Sequence, residues 1–408
     1  MRLLVVSQYF WPENFRINDL VSELVDRGHQ VTVLTGRPNY PDGMVFPGYA
    51  DAPGAFARFE GAEVLRLPLR PRGQGSVQLV RNYLSFVFWG LLLGPWKLRG
   101  RDFDAIFVFQ TSPITSALPA LWLRRLKRAP LLLWVLDLWP DTLAAVGVVR
   151  SPRLLALVGR VVGFIYQRCE RVLIASRAFA TNVERWGGRP EQIRYFPNWV
   201  EPAFAGSLEM QAVAPELAPY AACFNVLFAG NIGEAQDFPA VIEAAALLRE
   251  HRPTLRWLVV GEGRALDAVR TDVARRGLQD RVLLLGRHPP KRMPAFFSGA
   301  QALLVTLKAD PVFALTVPGK VQSYLAAGRP LLAMLDGEGA RIIEESGAGY
   351  SVPAGDAAAL ARAVCRLMDE PETQRQAMGK AGQAYAMREF DRNKLMSALE
   401  DWLADVAG

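Results

Sequence analysis

Short apolar runs alternate with amphipathic stretches along the whole chain. Residues 2–6 (RLLVV) form a brief continuous apolar run, the pattern of a strand buried on both faces. A loop from Tyr9 to Asn18 leads into NDLVSELVDRG, where Leu20, Val21, Leu24 and Val25 share one helical face and Gly28 closes the helix. QVTVLTG (30–36) predicts a second strand, so the opening reads as a βαβ unit and favours a parallel sheet. Further strands are expected at 63–67, 105–109, 131–136 and 172–175, with helices between them. The periodicity stops at FPNWVEP (196–202), a two-proline stretch that reads as a linker. It then restarts with a strand at 225–231, a helix at 238–250, a strand at 255–263 and a helix at 264–277. RVLLLG, QALLVTL, KVQSYLAAG, PLLAML and a helix at 356–369 continue the alternation. The fold class is therefore α/β, two consecutive Rossmann-like doubly wound domains facing a central cleft. Ligands of such sheets bind outside the carboxyl ends of the strands, which is where chemistry is expected.

Composition narrows the function classes. At 408 residues the chain exceeds one compact core and fits two domains. Its charge is uneven: residues 1–200 carry 25 Lys+Arg against 15 Asp+Glu, whereas residues 201–408 carry 22 against 25. Nucleic acid is not expected, because the basic residues lie among long apolar runs and not with exposed aromatics on strands. Three scattered cysteines (Cys169, Cys223, Cys365) argue against a disulfide framework or a thiolate metal site. Three histidines leave little material for a zinc site or a Ser-His-Asp triad. MRLLVVSQYF runs straight into a strand with no basic leader, so a cytoplasmic location is expected.

Residues 83–96 (YLSFVFWGLLLGPW) form an apolar run flanked by Arg70, Arg72 and Arg81 before it and Lys97, Arg99 and Arg101 after it. A spanning helix needs about 20 such residues, so the run is short for that purpose. Two readings stay open: an interfacial helix on an anionic membrane surface, with LWLRRLKRA (121–129) as a second basic-amphipathic patch, or a buried core helix.

Several motifs are missing. The turn after the first strand reads SQYFWPENF, without the glycines of a dinucleotide fingerprint, and VVGEGR (259–264) alone is weak. No P-loop or HExxH is present, so neither a cofactor nor a metal is expected.

The chain resembles the family 4 glycosyltransferases, and within them the bacterial N-acetyl-L-fucosamine transferase group of O-antigen and capsule synthesis. The resemblance is carried, in order, by QYFWPENFRINDL (8–20), RGHQVTVLTGRPNYPDG (27–43), SPITSALPALWL (112–123), LDLWPD (136–141), FPNW (196–199), FAGNIGEAQD (228–237), VGEGR (260–264), TVPGKVQSYLAAGRPLLA (316–333) and DGEGARIIEESGAGY (336–350). It implies the GT-B arrangement: an acceptor-binding domain over 1–199, a nucleotide-sugar domain over 200–385, and a helical segment 386–408 returning toward the first domain. It also implies retaining sugar transfer.

Transfer from a nucleotide sugar requires stabilising a leaving diphosphate with amide N–H groups, helix N-termini or cations. The resemblance places this at Gly230, Asn231, Ile232, Gly233 and Gln236, with Lys320 supplying the one full positive charge and LTVPGK, through Thr316, opening its helix. Two departures stand out. Asn231 and Gln236 occupy positions where the wider superfamily carries an Arg and a Lys, and Leu315 and Ser323 fall where it carries two Glu. Gly261, His288 near the base, Ser323 and Glu338 complete the donor set; Glu262 is expected to touch neither ligand, and His29 to be structural. Glu13, Asn14 and Arg16 are expected at the acceptor, and Asp137 is the candidate polar group at the reaction centre. A donor phosphate oxygen can take the acceptor proton in a retaining transfer, so no strong protein base is demanded.

The expected function is transfer of an N-acetylated (deoxy)hexosamine from a UDP-sugar to a polyprenyl-diphosphate-linked sugar, peripherally on the inner face of the cytoplasmic membrane. The alternatives are a UDP-sugar 2-epimerase, or a non-catalytic sugar-nucleotide-binding protein of a polysaccharide assembly complex.

Overall fold

The computed structural model describes residues 1–40, 43–73, 75–145, 149, 151–204 and 212–408. Pro41 and Asp42 of the PNYPDG stretch lie outside the described residues. The chain divides into two compact units: Met1–Pro197 together with Asn393–Gly408, and Asn198–Arg392.

The first unit is built on eight strands: β1 (Arg2–Val6), β2 (Gln30–Gly36), β3 (Arg58–Phe59), β4 (Ala62–Leu67), β5 (Ala105–Gln110), β6 (Leu131–Val135), β7 (Arg171–Ile174) and β8 (Ile193–Tyr195). Their order is β3-β4-β2-β1-β5-β6-β7-β8, parallel except for the β3–β4 hairpin at one edge. β1, β5 and β6 are almost wholly buried, which is why they read as continuous apolar runs. The helices are α1 (Arg16–Asp26), α2 (Ser76–Lys97), α3 (Ala117–Lys127), α4 (Asp141–Ala145), α5 (Pro152–Tyr166) and α6 (Phe179–Arg185).

Helix α2 is 22 residues long, well beyond the apolar run 83–96 that marks it in the sequence. Val77–Lys97 is long and apolar enough to cross a membrane by length and composition alone. Its packing shows a crossover helix instead. Phe86, Asn82 and Tyr83 are buried on its inner side, and it packs along β4 and α3. Its outer side exposes Val77, Leu84, Phe88, Leu92 and Trp96. The inner face of the helix is thus core, and the outer face is apolar and exposed.

The second unit holds β9 (Phe224–Ala229), β10 (Leu255–Val260), β11 (Val282–Leu284), β12 (Ala302–Thr306), β13 (Leu331–Met334) and β14 (Gly349–Val352). All run parallel in the order β11-β10-β9-β12-β13-β14, so the strand order reverses at β9/β12, the switch point at which doubly wound sheets bind ligands. Its helices are α7 (Phe238–Leu248), α8 (Leu266–Arg275), α9 (Met293–Ser298), α10 (Pro311–Leu315), α11 (Lys320–Ala326), α12 (Glu338–Ser346), α13 (Ala357–Asp369) and α14 (Glu372–Glu389). Two apolar clusters sandwich the sheet, one containing Leu227, Leu258, Phe297 and Tyr324, the other Phe228, Trp257, Leu304 and Val364.

The chain end differs in detail from the expected helical segment 386–408. Residues up to Glu389 close α14 in the second unit, and a separate helix, α15 (Arg392–Ala407), belongs to the first. There Glu400 accepts from Arg27 Nη1 at 2.7 Å and contacts His29 Nε2 at 2.8 Å, and Asp405 pairs with Arg171. His29 is thus structural.

Candidate active site

Three successive turns at the carboxyl edge of the second sheet enclose a pocket of about 640 Å³. After β9 the chain enters Gly230 at φ +140°, and after β10 it enters Gly261 at φ +151°, conformations that side chains disfavour. The two turns touch: a Cβ on Gly261 would lie 1.9 Å from the Gly230 carbonyl oxygen. Gly261 N–H donates to Gly286 at 2.8 Å and Ile232 N–H to Glu262 at 2.8 Å, so the turns after β9, β10 and β11 form one hydrogen-bonded rim. Glycine here lets the backbone come close to a bound group.

Lys320, the first residue of α11, reaches into this rim. Its stem is partly exposed, but its Nζ is enclosed and has no hydrogen-bond acceptor among the described residues. The ammonium group lies 3.6 Å from the Phe228 ring centroid and beside Gly230. Burial pushes its pKa down from 10.5 to about 7. A buried amine without an acceptor is costly to keep charged, and an anion beside it relieves that cost. Tyr324, one helical turn on, fixes α11 to β9: its hydroxyl donates to Ala229 O at 3.0 Å and accepts from Ala229 N–H at 2.8 Å.

The opposite wall is polar and braced. Arg292 grips both Glu216 oxygens at 2.8 Å, which holds that carboxyl down at about 2. Arg292 Nη1 also donates to His288 Nδ1 at 2.9 Å, so the proton of the neutral ring sits on Nε2, which donates to Leu285 O at 3.1 Å. His288 presents its ring with fixed orientation.

Of the expected donor residues, Gly230, Asn231, Gly261, His288, Lys320 and Ser323 line the pocket. The others do not. Ile232 is a core residue, while Gln236 accepts from Gly233 N–H at 3.0 Å and closes the β9 turn. Thr316 Oγ1 donates back to Val312 O at 3.1 Å. Glu338 forms a two-point ion pair with Arg341, at 3.0 and 2.6 Å, and braces its own helix. Glu262, expected to contact neither ligand, lines the pocket, as do Arg287 and Glu201, which no sequence signal singled out.

The first unit carries its own polar cluster at its strand ends. Asp137, two residues past β6, accepts from Ser112 Oγ at 2.8 Å, and Ser112 in turn accepts from Trp139 Nε1 at 3.0 Å. Burial raises the Asp137 pKa against the opposing hydrogen bonds from Ser112. A carboxyl poised above its usual range and held in place by a hydroxyl suits proton exchange with a substrate hydroxyl.

Glu13, placed at the acceptor by resemblance, is instead enclosed by backbone. Its carboxylate accepts from Asn39 N–H and Tyr40 N–H at 2.6 Å each and from Phe10 N–H at 3.1 Å, tying the β1 loop to the β2 loop. Those three N–H donors make Glu13 an organiser of the two loops. Asn14 is exposed, and Arg16 opens α1. Arg66 supports the same loops, donating to Gly36 O at 2.9 Å and to Trp11 O. No group of three or more His, Cys, Asp or Glu converges as a metal site among the described residues.

The two units coincide with two family matches. Residues 14–199 match the glycosyl transferase 4-like domain, and residues 223–370 match the glycosyl transferases group 1 domain. The chain belongs to the glycosyltransferases, with the GT-B fold. Among curated relatives it is 28% identical to a protein named probable glycosyltransferase WbjE, from Pseudomonas aeruginosa, over 58% of this chain and 59% of that protein's length. It is 26% identical to WcaI of Escherichia coli, named for colanic acid biosynthesis, over 80% of this chain and 82% of that protein. Among solved structures it is similar to HepE of Anabaena in complex with UDP and glucose, at a TM-score of 0.70 and 16% identity, covering 99% of this chain and 100% of that one.

Proposed function

We propose that this glycosyltransferase moves an N-acetylated (deoxy)hexosamine from a UDP-sugar, with retention, to a polyprenyl-diphosphate-linked sugar in bacterial surface-polysaccharide synthesis. The observation that carries the donor half is Lys320 Nζ, enclosed beside the glycine rim without an acceptor among the described residues. A diphosphate is the group whose charge and size answer that arrangement, with His288 and Arg287 on the wall for the nucleoside. HepE, of the same fold, was solved with UDP and glucose, and the names of WcaI and its relatives support a polysaccharide product. In this reading Asp137 meets the acceptor hydroxyl, and the exposed apolar side of α2 rests on the membrane that carries the lipid-linked acceptor.

Incubation with UDP-N-acetylhexosamines and a polyprenyl-diphosphate acceptor is the test. The expected result is a glycosylated lipid with the donor's anomeric configuration. Isomerised donor without transfer would mean an epimerase, and binding without turnover would mean a scaffold; either defeats the proposal.

A further inference from the structure

The first unit presents a cationic site remote in sequence from α2. The connections β4–α2–β5, β5–α3–β6, β6–α5–β7 and β7–α6–β8 all step the same way along the sheet. Right-handed crossovers therefore lay α2, α3, α5 and α6 on one side of it, and α2 packs on α3 and α3 on α5. None of α2, α3 and α5 contains an Asp or a Glu.

Helix α5 carries the sharper pattern. Arg153, Leu157, Arg160, Phe164 and, just past its end, Arg168 follow one another at helical spacing and are all exposed, so a single stripe alternates guanidinium with apolar side chain. This is the pattern of a helix lying at a lipid–water boundary, where apolar groups enter the acyl region and cations stay with the headgroups. The stripe runs into a groove of about 490 Å³ between α5 and the turn after α6, to which Arg160, Arg168 and Arg185 all contribute. No carboxylate lines it. Arg168 lies over the Phe164 ring at 3.7 Å and Arg185 lies 5.5 Å from the Trp186 ring, so both guanidinium groups rest on aromatic faces and have no acidic partner among the described residues.

We propose that the α5–α6 groove binds the phosphate of an anionic phospholipid headgroup, giving the first unit a specific hold on the membrane beside the apolar contact of α2. Three arginines around one open groove can offer several N–H donors to a single phosphate, a task for which the planar guanidinium is suited. The site takes a phosphate ester in a bilayer and lies in a different unit from the donor pocket. The proposal rests on the membrane-surface reading given above.

The experiment is vesicle co-sedimentation of the full chain on phosphatidylglycerol and phosphatidylcholine vesicles. Three proteins are compared: wild type, R160Q/R168Q/R185Q, and R249Q/R270Q/R362Q, which removes the same charge from the second unit. UDP binding by each serves as the control for folding. An arginine at an anionic surface strengthens binding roughly fivefold, so the groove variant is expected to lose tenfold or more on phosphatidylglycerol. The second-unit variant should stay within threefold of wild type. Equal losses in the two variants, or no loss in the groove variant, would overturn the groove while leaving the membrane reading standing. Failure of wild type to sediment with either vesicle would overturn both. Wild type that binds inorganic phosphate in solution but ignores phosphatidylglycerol would overturn the lipid as the source of the phosphate.

Discussion

The sharpest prediction concerns Lys320 and pH. Its amine falls from 10.5 to about 7 because burial among protein atoms desolvates it, a shift corresponding to about 5 kcal/mol against holding the charge there. A bound diphosphate reverses this preference, so the donor complex keeps the proton to higher pH than the free protein does. The linkage has one sign: above about pH 7 donor binding takes up a proton, and affinity weakens as pH rises. Between pH 6 and 7 the change should be under twofold, and from pH 7 to 8.5 about fifteenfold. The assay is calorimetric titration with a UDP-N-acetylhexosamine, whose phosphate diesters do not titrate in this range. It is repeated at pH 8 in buffers of different ionisation heat, so that proton uptake is counted directly. Lys320→Arg, charged throughout, should bind with little pH dependence, and Lys320→Met should bind weakly at every pH. Affinity constant within twofold from pH 6 to 8.5 in the wild type would refute the reasoning.

Other outcomes follow from the same geometry. Because the unfolded chain keeps the Lys320 proton up to 10.5 and the folded one does not, stability of the empty protein should rise with pH across that window. Lys320→Met should accordingly raise the thermal midpoint at pH 6.5, with the gain gone near pH 10. Asp137→Asn should lower transfer by about a hundredfold or more while leaving the donor dissociation constant within twofold, as measured by turnover and titration on one preparation. A Cβ at Gly261 meets the Gly230 carbonyl at 1.9 Å, so Gly261→Ala should cost about 2–3 kcal/mol in chemical denaturation and abolish UDP binding; unaltered binding would show that the rim tolerates displacement.

The strands of both sheets were legible because a parallel strand buried on both faces leaves an uninterrupted apolar run, as in LLLWV and ALLVT. Helix α14 was not. Its residues are small and polar, and Gly379 reads as a breaker, yet it allows the helix to approach the turn after α11, where a Cβ would lie 2.0 Å from Gly328 O. The strands β3, β8 and β14 are too short or too mixed to announce themselves. At the site, the motif residues that reach the pocket are those next to strand ends or on α11. Gln236, Thr316 and Glu338 sit in the same motifs but satisfy neighbouring backbone or Arg341, which spacing cannot distinguish from contact with a ligand. Nor could sequence reveal that Lys320 is unpaired, since that depends on everything folded around it.

The return of α15 to the first unit makes the second unit an insertion within the first. During synthesis the early sheet must therefore wait for the last sixteen residues before Arg27, His29 and Arg171 find Glu400 and Asp405. A stop codon just after Arg392 would leave the later unit whole and strike at the beginning of the protein.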